Sequence, residues 1–290
     1  MRYHVTHLTA YDYSESVSLC HNQVHLTPRT VGRQRCEHSV LEVSPAPAKL
    51  EAWQDYFGNR VHYFSVEGEH RQLLVAARSV VEVGSSPALS PSATPSWERV
   101  RDQVSGTTDE ACLEAAQFTF ASPYVRCSQE PREYAAVSCT PGRPLLEAVL
   151  DLTGRIYREF RYDPTATTVH TPTAEVLRQR RGVCQDFAHL QLACLRSLGL
   201  PARYVSGYLL TDPPPGQPKL IGADASHAWL AVFCPGLGWV DVDPTNNELP
   251  SLRHVTLAWG RDYGDVCPIQ GVFIGGGQHA MRVSVDVSHA

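Results

Sequence analysis

The sequence predicts an α+β protein in which an antiparallel β unit precedes a core made of a central, largely apolar helix packed on an antiparallel sheet. Three observations predict it. Residues 1 to about 84 alternate polar and apolar side chains and are rich in β-branched residues. From Cys184 the period changes, and Phe187, Leu190, Cys194 and Leu198 form a helical stripe that Ala188, Leu192 and Leu195 widen, until Gly199 and Pro201 stop it. Beyond that stop, residues 202–210, 227–233 and 238–242 read as strands again.

Taken in order, the first unit should contain strands at 4–9, 17–28, 36–44, 59–66 and 73–83, with Asp55-Tyr-Phe-Gly-Asn59 as a turn. Residues 85–96, rich in serine and proline, read as a linker. Short helices are expected at 97–104 and 110–120, interrupted by Gly106 and Pro123. A longer one follows at 145–160, where Leu146, Val149, Leu152, Ile156 and Phe160 share a face. Thr171-Pro172 resembles a helix start, with the helix running from Ala174 to Arg180 and Gly182 ending it. Asp212-Pro-Pro-Pro-Gly216 reads as a loop, and residues 272–274 and 281–287 as further strands. The expected division is therefore a β-rich domain at 1–84, the linker, and a catalytic domain at 97–290 whose reactive region spans 145–250.

A chain of 290 residues that is 43% hydrophobic can bury a large core in one or two domains. The net charge is −5 with basic residues dispersed, which gives no reason to expect nucleic acid or an anionic membrane as partner. No stretch approaches the roughly 20 apolar residues of a membrane span, and no apolar leader with a cleavage site opens the chain, so a soluble cytoplasmic protein is expected. The nine cysteines are widely spaced with no CxxC pair, which argues for reduced thiols. Neither a metal nor a cofactor is expected, and the oligomeric state is open.

The chemistry gathers in three segments. Gly182-Val-Cys-Gln-Asp-Phe-Ala-His189 places a thiol at the start of a helix, where unpaired N–H groups and the helix dipole favour a thiolate. Cys184 taken alone is more often a small buried hydrophobe. His227, at a strand start in Asp224-Ala-Ser-His-Ala-Trp229, can serve as its base, and Asp243 or, failing that, Asp241 in Gly238-Trp-Val-Asp-Val-Asp-Pro-Thr245 can orient the imidazole. Asp186 is read as bracing the helix start or the substrate groove, and Trp229 as walling the cleft or packing in the core. Gln179 reads as a solvated helix residue, His189 as pointing off the Cys184 face, and Asp262 and Asp265 as surface or hydrogen-bonding groups on a loop that closes the cleft.

At these residues the sequence resembles the transglutaminase-like superfamily. The resemblance rests on Gly182 to His189, Ser226-His-Ala-Trp229 and Trp239-Val-Asp-Val-Asp-Pro-Thr-Asn246, in the order Cys, His, Asp. The opening Tyr3 to Tyr13, the Asp55 to Asn59 turn and Gly260 to Pro268 also look like parts of bacterial members with a β-rich N-terminal region. The resemblance implies a papain-like core and a triad of Cys184, His227 and Asp243. It further implies acyl transfer at amide bonds through a thioester, with a peptide or protein as substrate. Hydrolysis as in a cysteine peptidase is the leading outcome, and glutamine transamidation the alternative.

Two other classes compete. A scaffold with a retained triad would be favoured by a Cys184 sulfur more than about 5 Å from both His227 nitrogens. A metal hydrolase using His189, His227 and Asp243 lacks compact ligand spacing, and no calcium loop is present.

Overall fold

The computed structural model describes residues 1–85, 88–106, 109–211 and 225–290. The expected loop at 212–216, residues 222–224 ahead of His227 and residues 86–87 of the linker lie outside the described residues. The fold is α+β with antiparallel sheets, as expected, and none of its described helices is long and apolar enough to cross a membrane.

The first unit is built on two long strands, β1 (Arg2–Val24) and β4 (Arg60–Val83), paired antiparallel along their length. The segments expected as separate strands at 4–9 and 17–28 are therefore one strand, and 59–66 and 73–83 are another. What reads as a break in the pattern is a register shift between Asp12 and Leu19, where β1 bends without leaving the sheet. On the far side of β4 lie β2 (Gln34–Ser44) and β3 (Lys49–Gln54). The Asp55 turn joins β3 to β4, its carboxylate accepting from the N–H groups of Phe57 and Asn59.

Helices follow: α1 (Trp97–Ser105), α2 (Glu110–Ala116), α3 (Gln129–Ala136) and α4 (Leu145–Glu159). The short strand β5 (Arg161–Tyr162) pairs with β6 (Arg181–Gly182), and α5 (Thr173–Gln179) lies between them. Helix α5 ends at Arg180, which adopts a left-handed conformation, two residues before the glycine expected to stop it. Next comes α6 (Cys184–Ser197), then β7 (Ala202–Leu209), β8 (Ala225–Cys234), β9 (Gly238–Val242) and β10 (His254–Gly260). These four strands form an antiparallel sheet in the order β10-β7-β8-β9. Every residue of α6 from Asp186 to Arg196 is buried, so the helix is enclosed on all sides and not along one stripe. Leu190 and Cys194 pack in one core with Val149 and Leu152 of α4 and Leu230 and Val232 of β8.

After α7 (Tyr263–Val266) the chain returns to the N-terminal sheet, with Val285 and Val287 still packed in this core. Strands β11 (Ile269–Gly275) and β12 (His279–His289) both pair with β1, β11 along residues 17–24 and β12 along residues 3–13. This corrects the expected boundary, because residues 269–289 pair into the N-terminal sheet, even as Val285 and Val287 pack into the core of the catalytic unit. The reason is the length of β1, whose second edge would otherwise be left open over most of 23 residues.

The two sheets meet at β10, an edge strand of the core sheet. Its outward backbone groups are met by side-chain amides of the first unit: Gln34 bonds both the N–H and the C=O of Thr256 (2.7 and 2.8 Å), and Asn59 does the same for Trp259 (3.0 and 2.8 Å). Two amides thus stand in for a neighbouring strand and satisfy donors and acceptors that burial would otherwise leave unpaired.

Candidate active site

Cys184 opens the first turn of α6 and is partly exposed. Asp186 fixes that start, accepting from the N–H of Val183 (2.8 Å) and the hydroxyl of Thr167 (2.6 Å). Burial raises the Asp186 pKa, and these two bonds oppose the rise. The carboxylate comes so close to the backbone that a Cβ at position 182 would lie 2.6 Å from its Oδ2, which explains Gly182. Asp186 is therefore a brace for the helix start.

His227 sits near the start of β8, opposite Gly207 on β7. Its Nε2 lies 2.7 Å from Asp243 Oδ2, and Cys184 lies close enough to favour the charged form of its ring. Since Nε2 faces the acid, Nδ1 is the nitrogen left for the thiol. Burial by itself would lower the His227 pKa, but Asp243 and Cys184 reverse the effect and lift it to about 10.

Asp243 is fully buried just past the end of β9. Its Oδ1 accepts from the N–H groups of Thr245 (2.9 Å) and Asn246 (3.3 Å). Its Oδ2 meets His227, the amide of Asn246 (2.7 Å) and His254 Nε2 (3.2 Å). Burial alone would push this carboxyl up; the hydrogen bonds led by His227 and His254 outweigh it and hold the group well below the usual carboxylate range.

His254 and Asn246 are the residues that sequence reasoning passed over. Asn246 stood at the end of a quoted motif with no role, and residues 254–260 were not read as a strand although Val255, Leu257 and Trp259 alternate there. The N–H of Ser251 donates to His254 Nδ1 at 3.4 Å, so the proton sits on Nε2 and points at Asp243. The ligand atoms of His227, Asp243 and His254 lie within 4.8 Å of one another. Both imidazoles aim Nε2 at one oxygen, however, which is the arrangement of two donors on an acceptor.

Trp229 is fully buried behind these rings, 5.9 Å from His227 and edge-on to His254 at 5.2 Å. It backs the imidazoles and does not wall an open cleft. Its indole lies across Gly207, where a Cβ would fall 2.4 Å from the ring and 2.2 Å from the Val255 carbonyl. Asp241 is not brought to His227. It lines a cavity beyond Trp229 with Arg203 and Arg33, and burial raises its pKa against the pull of those two cations.

The remaining candidates are structural. His189 is buried, accepts the N–H of Tyr263 at 3.1 Å, and has its pKa lowered to about 3 mainly by burial, so the metal set that needed it is not assembled. Gln179 pairs with Glu175 on exposed helix α5. Asp262 caps α7 and Asp265 binds Arg261, so this segment is pinned to the core.

Two family models match the chain: a bacterial transglutaminase-like N-terminal region over residues 3–82, and the transglutaminase-like superfamily over residues 132–244. An uncharacterized protein of Mycobacterium tuberculosis is 43% identical over 300 residues, covering 99% of this chain and 92% of the relative. A protein-glutamine gamma-glutamyltransferase of Pseudomonas aeruginosa is 31% identical over 107 residues, 34% of this chain and 16% of that one. The crystal structure of a proposed cysteine protease from Cytophaga hutchinsonii covers 99% of this chain and 90% of its own, with a TM-score of 0.78 at 20% identity, which shows a shared fold. Joined to the arrangement of Cys184, His227 and Asp243, these matches give the conclusion that the chain belongs to the transglutaminase-like superfamily.

Proposed function

We propose that this protein is a cysteine-dependent acyl-transfer enzyme acting on amide bonds of peptides or proteins, with Cys184 as nucleophile, His227 as acid and base, and Asp243 as the group that orients His227. The observation that carries this reading is one imidazole held 2.7 Å from a buried carboxylate and charged in part by a neighbouring helix-start thiol. Cys184 as thiolate attacks the amide carbonyl, and the tetrahedral oxyanion faces the Cys184 N–H, which has no acceptor within its own helix. His227 gives its Nδ1 proton to the departing amine, leaving a thioester. Water then attacks with His227 taking its proton, and collapse releases the acid and restores the thiolate.

Hydrolysis is the reading adopted here. Transamidation, in which a primary amine replaces water, is supported by the local match to the Pseudomonas aeruginosa glutamyltransferase. An iodoacetamide probe at neutral pH should label Cys184 ahead of the exposed Cys127, and His227→Ala should remove that preference. Equal labelling of the two thiols would overturn the nucleophile assignment. Peptide digestion run beside amine incorporation into a glutamine donor then separates the two outcomes.

A further inference from the structure

On the side of the core sheet away from α6 lies a cavity of about 870 Å³, within the size range of small-molecule sites. Its walls come from β7, β9 and β10 and from residues 31–34 of the first unit, and they are mostly apolar, with Val205, Leu249, Trp239 and Trp259 among them. Of the charged groups that also line it, Arg33, Glu114, Asp241 and Arg203, the buried one is Arg203. It is only 7% exposed, and its guanidinium carbon lies 3.7 Å from the Trp259 ring and 4.3 Å from the Trp239 ring. At those distances the cation lies over both rings, and neither ring offers its N–H groups a hydrogen-bond acceptor oxygen.

Arg203 is short of acceptors among the described residues. Its buried Nε has no hydrogen-bond partner among the described residues, and Asp241 and Glu114 act on it only through space. A buried donor without an acceptor is costly, so the group is matched to something that enters the cavity. Burial lowers its pKa to about 9, which leaves it charged at neutral pH. The other arginine on the wall, Arg33, is already spent on the carbonyls of Gly84, Pro250 and Ser251.

We propose that this cavity is a second binding site, for an apolar molecule bearing a single carboxylate that Arg203 receives between Trp239 and Trp259. An in-plane guanidinium edge matches a carboxylate's two oxygens. The apolar walls suit a hydrocarbon or aliphatic side-chain body, and with Asp241 and Glu114 also lining the space a singly charged carboxylate is repelled less than a phosphate. The carboxylate has two sources, a free organic acid or the C-terminus of a peptide.

Binding is tested on the full chain carrying Cys184→Ala, so that the thiol captures nothing, by calorimetry and tryptophan fluorescence. The probes are decanoate, neutral decanol, and N-acetyl-Leu-Leu with a free or an amidated C-terminus. One-site binding of decanoate or of the free-acid peptide, at least about tenfold tighter than its neutral counterpart, is expected. Which acid binds identifies the source. Arg203→Met should erase the preference for the acid. Because Arg203 also packs two indoles, Leu249→Trp serves as a second variant that keeps the arginine and fills the cavity, and it should weaken the acid by a similar factor. Equal binding of acid and neutral probes, no binding of any probe at millimolar concentration, or acid binding unchanged by Leu249→Trp would overturn the proposal.

Discussion

Asp241 and Asp243 lie two residues apart at the end of one strand, on opposite sides of the decision between structure and chemistry. Asp243 is wrapped by two imidazoles, a side-chain amide and two backbone N–H groups, and its carboxyl is held far down. Asp241 faces the rear cavity, where burial dominates and two arginines act at a distance, and its carboxyl is pushed up. Two neighbouring carboxylates are thus sorted by the number of donors in reach. A motif reading that offered either acid could not see those donors, since they come from β8, from β10 and from the turn after β9.

The largest effect that would sharpen this contrast is on turnover. Asp243→Asn should cut kcat for amide cleavage by roughly 10³-fold or more, as loss of the orienting acid does in related triads. Asp241→Asn should cost less than about tenfold; a comparable loss in both would break the distinction. Gly207→Ala comes next. It forces a methyl into the Trp229 ring and the Val255 carbonyl, and urea unfolding should show a loss of about 2 kcal/mol or more.

His254→Gln should lower kcat by about tenfold, because one donor to Asp243 is weakened while the thiol and His227 remain. As a positioning residue its signature is the alkaline limb of the pH profile, which should move below that of the wild type if His254 sustains the charge on Asp243. A lower kcat with an unmoved limb would assign it a packing role only.

The finest test is the pH dependence of stability. His227 has its pKa raised from 6.5 to about 10 on folding, so its contribution is complete below pH 6.5 and is lost as pH rises toward 10. Asp243 is lowered, so its contribution is present above the ordinary Asp range and lost on acidification through the folded value. The wild type should therefore lose stability in urea between pH 6.5 and 10, and Asp243→Asn should flatten that slope. An unchanged slope would mean that Asp243 does not hold the imidazole's proton.

Much of the candidate site was legible because its parts carry local signals. A glycine, then a cysteine, then an acid two residues further on mark a capped helix start, and that is where Cys184, Asp186 and Gly182 are found. The strands around His227 and Asp243 announced themselves by alternation and by the Pro235-Gly236 turn. His254 was not legible, since its role is a contact made across sheet neighbours and nothing in its own segment encodes a partner. The C-terminal strands were recognised as strands but assigned to the wrong unit for the same reason: pairing with β1 spans more than 240 residues of sequence, and periodicity reports a face, not a neighbour.

The sequence by itself determined the class of the fold, the nucleophile helix and the order of thiol, imidazole and acid, because helix period, strand alternation and capping are local properties of the chain. Only the tertiary structure decided which aspartate meets His227, that His254 stands behind it, and that Arg203 lies among indoles with a donor unpaired among the described residues. Each of those depends on side chains brought together from distant strands, where burial and the count of hydrogen-bond partners set the charge of the group.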